Sequence, residues 1–238
     1  MVYKKTGIAI LKGLLVLFFF LVPYAVAALP CDTLFLGQKP AGIWWPSKKV
    51  ARKDAPVVVW FHGGMSSGNC QKGLVAGGDL SSMAPGYIVV SASACRQDHW
   101  VVPTTIALVD EVLDSVAQRR GQIISEVSLV GISDGSLGVI AYSKLGKRKV
   151  VSRVLISSYG GLLGAASDLA RDPAFKTGRW RFIQGGADRL YPSQETVPWI
   201  EGFCRNVGAE CDLKFDPQGE HDWSYWQNKR KNWILEFF

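Results

Sequence analysis

Between residues 126 and 145 an apolar β-branched run passes into an apolar helical pattern through Gly131-Ile-Ser133-Asp-Gly135, with no linker between. Residues 127–130 are apolar apart from one serine and read as a buried strand, and residues 137–145 carry apolar side chains at helical spacing. A strand that becomes a helix within so few residues forces a tight turn. A Cβ on either side of its central residue would meet backbone, so small residues are required there. The turn lifts the Ser133 hydroxyl above the end of the strand, next to the N–H of Asp134.

Such a turn is a nucleophile elbow when strand and helix both flank it. The chain contains a second match, Gly64-Met-Ser66-Ser-Gly68, but it leads into a glycine-rich stretch, residues 68–73, with no helix at once. Ser133 is therefore the candidate nucleophile. The bland alternative is a glycine-rich strand–helix turn that serves packing alone.

The first residues have a separate purpose. Lys4, Lys5 and Lys12 form a basic start, residues 14–22 are an unbroken apolar run of nine, and Ala25-Val-Ala27 supplies small residues after Pro23. This is the pattern of a cleaved export signal over residues 1–28, leaving residues 29–238 as one domain. The run is short of the roughly 20 residues of a membrane span, and a retained anchor is the alternative. Loss of the three lysines lowers the formal charge from +7 to +4, which does not indicate a nucleic-acid partner. The five cysteines, at 31, 70, 95, 204 and 211, fit no zinc spacing. In an exported chain they suggest disulfides. Cys70 and Cys95 follow neighbouring strands and form one expected pair. Cys204 and Cys211 flank a short helix-to-strand connection and form the other, with Cys31 left over.

After the leader, strand and helix patterns alternate. Strands are expected at 43–45, 56–61, 87–91, 127–130, 150–157, 180–184 and 212–215. Helices are expected at 104–119, 137–145, 196–207 and 224–237. The fold class is α/β, with a mostly parallel central sheet, helices on both faces and a short cap insertion at 160–179. In such sheets the ligand site lies beyond the carboxyl ends of the strands, where His62, Ser133, Gly186 and Asp188 fall.

A serine hydroxyl needs a base to accept its proton, and the base needs an acid to fix its tautomer. The chain has three histidines. His62, in His62-Gly-Gly64, suits the shaping of an oxyanion loop in which N–H groups of Gly64 or Met65, with that of Asp134, face developing charge. His99 lies in a loop and is the lesser candidate for the base. With Trp100 and Trp223 it is a weak candidate for contact with substrate. His221 lies between the last strand and the last helix, from where an imidazole can reach the elbow. Asp188, after a strand and a glycine turn, is the candidate acid; Asp216 lies closer in sequence but within the same loop as the base. Asp168 and Asp172, in the insertion, are expected to be solvated.

The order Ser133, Asp188, His221, taken with Gly42-Ile-Trp-Trp-Pro46, Ala55-Pro-Val-Val-Val-Trp-Phe-His62-Gly-Gly64 and Val127-Ser-Leu-Val-Gly-Ile-Ser133-Asp-Gly135, resembles the α/β-hydrolase superfamily. Within it the chain resembles secreted feruloyl-esterase-like and polyhydroxybutyrate-depolymerase-like esterases. Ser136 stands where many relatives have a second glycine. The resemblance implies hydrolysis of a small-molecule or polymeric carboxylic ester, without metal or cofactor. A peptidase or amidase on the same fold is the nearest alternative, and a non-catalytic binding protein on a hydrolase scaffold the more distant one.

Overall fold

A computed structural model describes residues 31–37, 39–50, 52, 54–64, 70–95 and 100–238. Residues 1–28, where the sequence suggests an export signal, and Met65, Ser66 and His99 lie outside the described residues. The chain opens with a hairpin of β1 (Cys31–Leu36) and β2 (Lys39–Trp44), then runs through β3 (Val57–Phe61), α1 (Lys72–Val75), α2 (Gly77–Met83), β4 (Ile88–Ala92) and α3 (Pro103–Arg120). The middle is β5 (Glu126–Ile132), α4 (Asp134–Leu145), β6 (Lys149–Ile156) and α5 (Ala166–Ala170). It closes with β7 (Arg179–Gly185), α6 (Ser193–Val207), β8 (Glu210–Asp216), α7 (Trp223–Lys229) and α8 (Lys231–Leu235).

The strands form one sheet in the order β1-β2-β4-β3-β5-β6-β7-β8. The β1–β2 and β2–β4 pairs are antiparallel, and every pair from β4 to β8 is parallel. Because β3 lies between β4 and β5, the chain reverses its direction of travel across the sheet there. That reversal opens a crevice at the carboxyl ends of the central strands.

Strand β3 shows why the sheet is covered twice. Val57, Val59 and Phe61 enter the core beneath α3, α4 and α6, while Val58 and Trp60 enter a second core with Leu80 of α2, Trp226 of α7 and Ile234 of α8. A strand buried on both faces must be apolar throughout, and Val-Val-Val-Trp-Phe is. Each such side chain contributes roughly 1.5–3 kcal/mol by leaving water.

Three sequence expectations need correction. The closing helix is two helices, because Arg230 leaves helical backbone at φ −136°. Residues 72–83 are helical despite Gly73, Gly77 and Gly78. Those glycines answer to close packing: a Cβ on Gly73 would stand 2.7 Å from the Ala92 carbonyl oxygen, and one on Gly77 2.4 Å from the Trp44 ring. Asp172 is partly exposed, as expected, and also pairs with Lys144 at 2.9 Å and accepts from the Ala174 N–H at 3.1 Å. Cys70 and Cys95 are not joined. Cys95 is turned into the interior at the exit of β4, whereas Cys70 remains partly exposed ahead of α1. Cys204 and Cys211 do form a disulfide, with Cα atoms 5.2 Å apart. No helix among the described residues is long and apolar enough to cross a membrane.

Candidate active site

Ser133 joins β5 to α4 at φ 55° and ψ −124°, a backbone region that a residue with a Cβ rarely enters. The flanking glycines make the turn sterically possible. A Cβ on Gly131 would lie 2.3 Å from the Gly135 carbonyl oxygen, and one on Gly135 would lie 1.9 Å from that of Phe61. Four further contacts hold the turn. The Ser133 N–H donates to the Ile156 carbonyl at 2.9 Å. The buried Ser136 hydroxyl lies 2.9 Å from the Gly131 carbonyl and 3.1 Å from that of Ile156, and it accepts from the Ile156 N–H at 3.2 Å. A glycine at 136 could make none of the bonds to this hydroxyl.

Asp188 and His221 are brought together by a close approach of two loops. The Gly186 N–H donates to the Asp216 carbonyl at 2.8 Å, and the Ala187 N–H to that of Gly219 at 3.0 Å. Gly185 permits this, since a Cβ there would stand 2.1 Å from the Gly219 carbonyl oxygen. His221 Nδ1 then lies 2.9 Å from Asp188 Oδ2. The other carboxylate oxygen, Oδ1, accepts from the N–H groups of Leu190 and Tyr191, each at 2.9 Å. Burial alone would push the Asp188 carboxyl up, but the His221 hydrogen bond and the two backbone donors hold it below its ordinary value. A carboxylate at Nδ1 keeps the imidazole proton on that nitrogen, which leaves Nε2 as an acceptor. The His221 side chain is 26% exposed, so Nε2 is within reach of a substrate, whereas the Asp188 side chain is 0% exposed. Asp216 is engaged elsewhere, by Tyr225 and Arg230, each at 2.8 Å.

The end of β3 runs alongside the elbow. A Cβ on Gly63 would stand 3.3 Å from that of Ser133. His62 is buried and acts as a clamp. Its Nε2 accepts from the Ala94 N–H at 3.1 Å, so the ring proton is on Nδ1 and donates to the Gly63 carbonyl at 2.9 Å. Burial drives its pKa from 6.5 down to about 4; the Gly63 carbonyl opposes this and the Lys72 charge adds to it. His62 is thus a neutral brace at physiological pH, not a base. Gly64 follows at φ 90°, and Met65 lies outside the described residues. Lys72, which no local pattern singles out, donates from its ammonium to the Gly63 carbonyl at 3.3 Å. The Asp134 N–H heads α4 beside Ser133.

Two tryptophans expected near substrate are packing residues. Trp100 is 0% exposed, its N–H donates to the His62 carbonyl at 2.9 Å, and its ring meets Phe61 edge-on at 4.9 Å. Trp223 packs on Trp60 at 4.6 Å and donates to Asp79 at 3.1 Å, tying α7 to α2. Sequence reasoning also missed Tyr191. Its ring meets the His221 ring edge-on at 5.2 Å. No Ser133–His221 hydrogen bond is formed among the described residues. Only its position three residues after Asp188, before Pro192, could have drawn attention to it. A cavity of about 480 Å³, lined by Ala187, Arg189, Leu190, Glu220, His221 and Asp222, adjoins the imidazole. Ser133 is not in its lining, so it is a vestibule beside the site.

No protein-family model and no curated protein sequence matches this chain. Solved structures do. A thermostable esterase aligns at a TM-score of 0.60 and 12% identity over 88% of this chain and 63% of its own length. An S-formylglutathione hydrolase from Agrobacterium tumefaciens aligns at 0.63 and 16% identity, over 87% of this chain and 94% of its own. An acylaminoacyl peptidase from Pyrococcus horikoshii aligns at 0.62 and 15% identity, over 90% of this chain and 42% of its own. The chain therefore spans less than two thirds of the first and under half of the third. At these identities the likeness is one of fold.

Proposed function

The chain has the α/β-hydrolase fold, and on that fold we propose that it is an exported serine hydrolase that cleaves a carboxylic ester. One observation carries the reading. A buried Asp188 carboxylate, 2.9 Å from the part-exposed His221 ring, stands at the end of the sheet where Ser133 is held at positive φ. In this reading Ser133 Oγ attacks the carbonyl carbon and His221 Nε2 takes its proton. The resulting imidazolium is stabilised by Asp188, which stays ionised. N–H groups of Asp134 and of Gly64 or Met65 stabilise the oxyanion, each donor contributing about 3 kcal/mol. Collapse expels the alcohol, protonated by His221, and water releases the acyl group by the same steps.

The Ser133 hydroxyl must reach Nε2 for attack; catalytic hydrogen bonds that are slack in the free protein and tighten with substrate are common. The amide reading is favoured by one observation, the fold likeness to an acylaminoacyl peptidase. A panel of aliphatic esters, aromatic esters and peptide amides separates the two. The test of the shared chemistry is labelling by a fluorophosphonate: wild-type protein should label, and Ser133→Ala and His221→Ala should not. Unlabelled wild-type protein, correctly folded, would leave a non-catalytic binding role.

A further inference from the structure

We propose that Lys72 is a positioning residue of this site: with His62 it pins the Gly63 carbonyl toward β4, which turns the N–H of Gly64 toward Ser133 as the oxyanion donor. The inference rests on the serine-hydrolase reading and adds to it the group that fixes which N–H at the end of β3 serves.

The order of the strands decides the direction. β3 lies between β4 and β5. Beyond β5 stands Ser133, and Gly63 faces it: a Cβ on Gly63 would lie 3.1 Å from the Ile132 carbonyl oxygen and 3.3 Å from the Ser133 Cβ. Beyond β4 stands Ala94, whose N–H donates to the His62 ring at 3.1 Å. The same ring donates to the Gly63 carbonyl at 2.9 Å, so that carbonyl is drawn to the β4 side. No peptide bond among the described residues is cis. In a trans peptide the C=O and the following N–H point in opposite directions. The Gly64 N–H is thereby directed to the β5 side, where Ser133 stands.

One neutral donor is a slight hold on such a peptide. It joins two glycines, which have no Cβ to restrict rotation, and Gly64 already lies at φ 90°. A flip would put a carbonyl oxygen where the oxyanion must sit. Lys72 supplies a second donor, and a charged one. Its ammonium lies 3.3 Å from the Gly63 carbonyl oxygen and has no other acceptor among the described residues. It covers Gly64, where a Cβ would run into it. The lysine is itself moored to the end of β4, because the N–H of the next residue, Gly73, donates to the buried Ser93 hydroxyl at 2.8 Å. A charge-assisted hydrogen bond is roughly twice as strong as a neutral one. A cation on the carbonyl also polarises the peptide and makes its N–H a better donor to negative charge.

The test is the second-order rate at which a neutral alkyl fluorophosphonate modifies Ser133, which requires no knowledge of the natural substrate. Ser133 Oγ bonds to phosphorus, fluoride departs, the serine proton passes to His221, and the phosphoryl oxygen sits where the oxyanion donors converge. Lys72→Met keeps the apolar stem and removes the donor. It should slow the reaction about tenfold or more, a part of the 10²- to 10³-fold lost when an oxyanion donor is removed outright. Lys72→Ala should behave in the same way, and Lys72→Arg, which keeps a cationic donor, should come within about threefold of wild type. The fall of the rate toward acid pH should keep its midpoint in every variant, and thermal melts should show all of them folded. Lys72→Met within twofold of wild type, or faster, would overturn the proposal. So would a loss that Lys72→Arg does not restore, which would make residue 72 a packing position only. A displaced acid midpoint that accounts for the whole loss would overturn it as well, by showing that the charge acts on His221 and not on the peptide. Folded wild-type protein that does not react at all would sink the serine-hydrolase reading, and this inference with it.

Discussion

Asp188 presents one carboxylate oxygen to His221, at 2.9 Å, and gives the other to the backbone of Leu190 and Tyr191. Asn in its place can keep Oδ1 as the acceptor of both N–H groups, so the loop should hold. Its NH2 then faces His221 Nδ1, which must become an acceptor, and the proton moves to Nε2, where it blocks removal of the serine proton. Asp188→Asn should therefore leave the far-ultraviolet circular dichroism unchanged and lower turnover on the order of 10⁴-fold. Activity within tenfold of wild type would remove Asp188 from its assigned role.

His62 yields a prediction about pH and stability. Its folded pKa, about 4, lies below the 6.5 of the exposed ring. Between those values the unfolded chain binds a proton that the folded chain refuses, so stability rises with pH. The contribution is complete above 6.5 and is lost as pH falls toward 4. On going from pH 7 to pH 5 it amounts to about 2 kcal/mol. Urea unfolding at the two pH values should show this loss, and His62→Gln, though less stable at pH 7, should be flatter across the interval by about that amount. An equal pH dependence in the two proteins would show that the His62 ring is not desolvated.

The sheet was legible because its strands are written in composition. Val57 to Phe61 is apolar on both faces, and Val127 to Val130 is so apart from Ser128. Ser133 was legible because the tight turn demands glycine on both sides. The glycine-bearing helices were not legible, because the reason for Gly73 and Gly77 is the position of Ala92 and Trp44, which no local pattern reports. Trp100 misled for a related reason: an indole in a loop near the strand ends can line a cleft or lie under it, and here it lies under His62. Tyr191 was invisible because its contact with His221 depends on which way a loop aims a ring. Cys204 and Cys211 were predictable as neighbours in sequence, whereas Cys70 and Cys95 depended on side-chain direction.

The Cys204–Cys211 disulfide closes the connection between α6 and β8, with a sequence separation of 7. A loop this short gains about 2–3 kcal/mol from the lost freedom of the unfolded chain. The paired replacement Cys204→Ser with Cys211→Ser should lower the unfolding free energy by about that much and leave catalysis nearly intact, since the link joins elements away from Ser133. Peptide mapping without reductant should recover the two cysteines linked. Recovery of Cys70 linked to Cys95 would contradict the side-chain directions described above.

Gly135 ties the elbow to the strand beside it, and a single methyl group tests that tie. In Gly135→Ala the Cβ would fall 1.9 Å from the Phe61 carbonyl oxygen and 2.9 Å from that of His62. Both neighbours are backbone, so no rotamer change relieves the clash. Either α4 withdraws from β3 or the end of β3 moves, and the first carries Asp134 away while the second carries Gly63 and Gly64. Both routes separate the oxyanion donors from Ser133. The cost in stability should be on the order of 3 kcal/mol or more, and turnover should fall at least about 100-fold even where the protein remains folded. Gly86→Ala is the matched control, because a Cβ there meets nothing within 4 Å, and it should be neutral or slightly stabilising. If Gly135→Ala were as harmless as Gly86→Ala in a thermal melt and in turnover, the close approach of α4 to β3 would not exist, and the elbow geometry argued from it would fall.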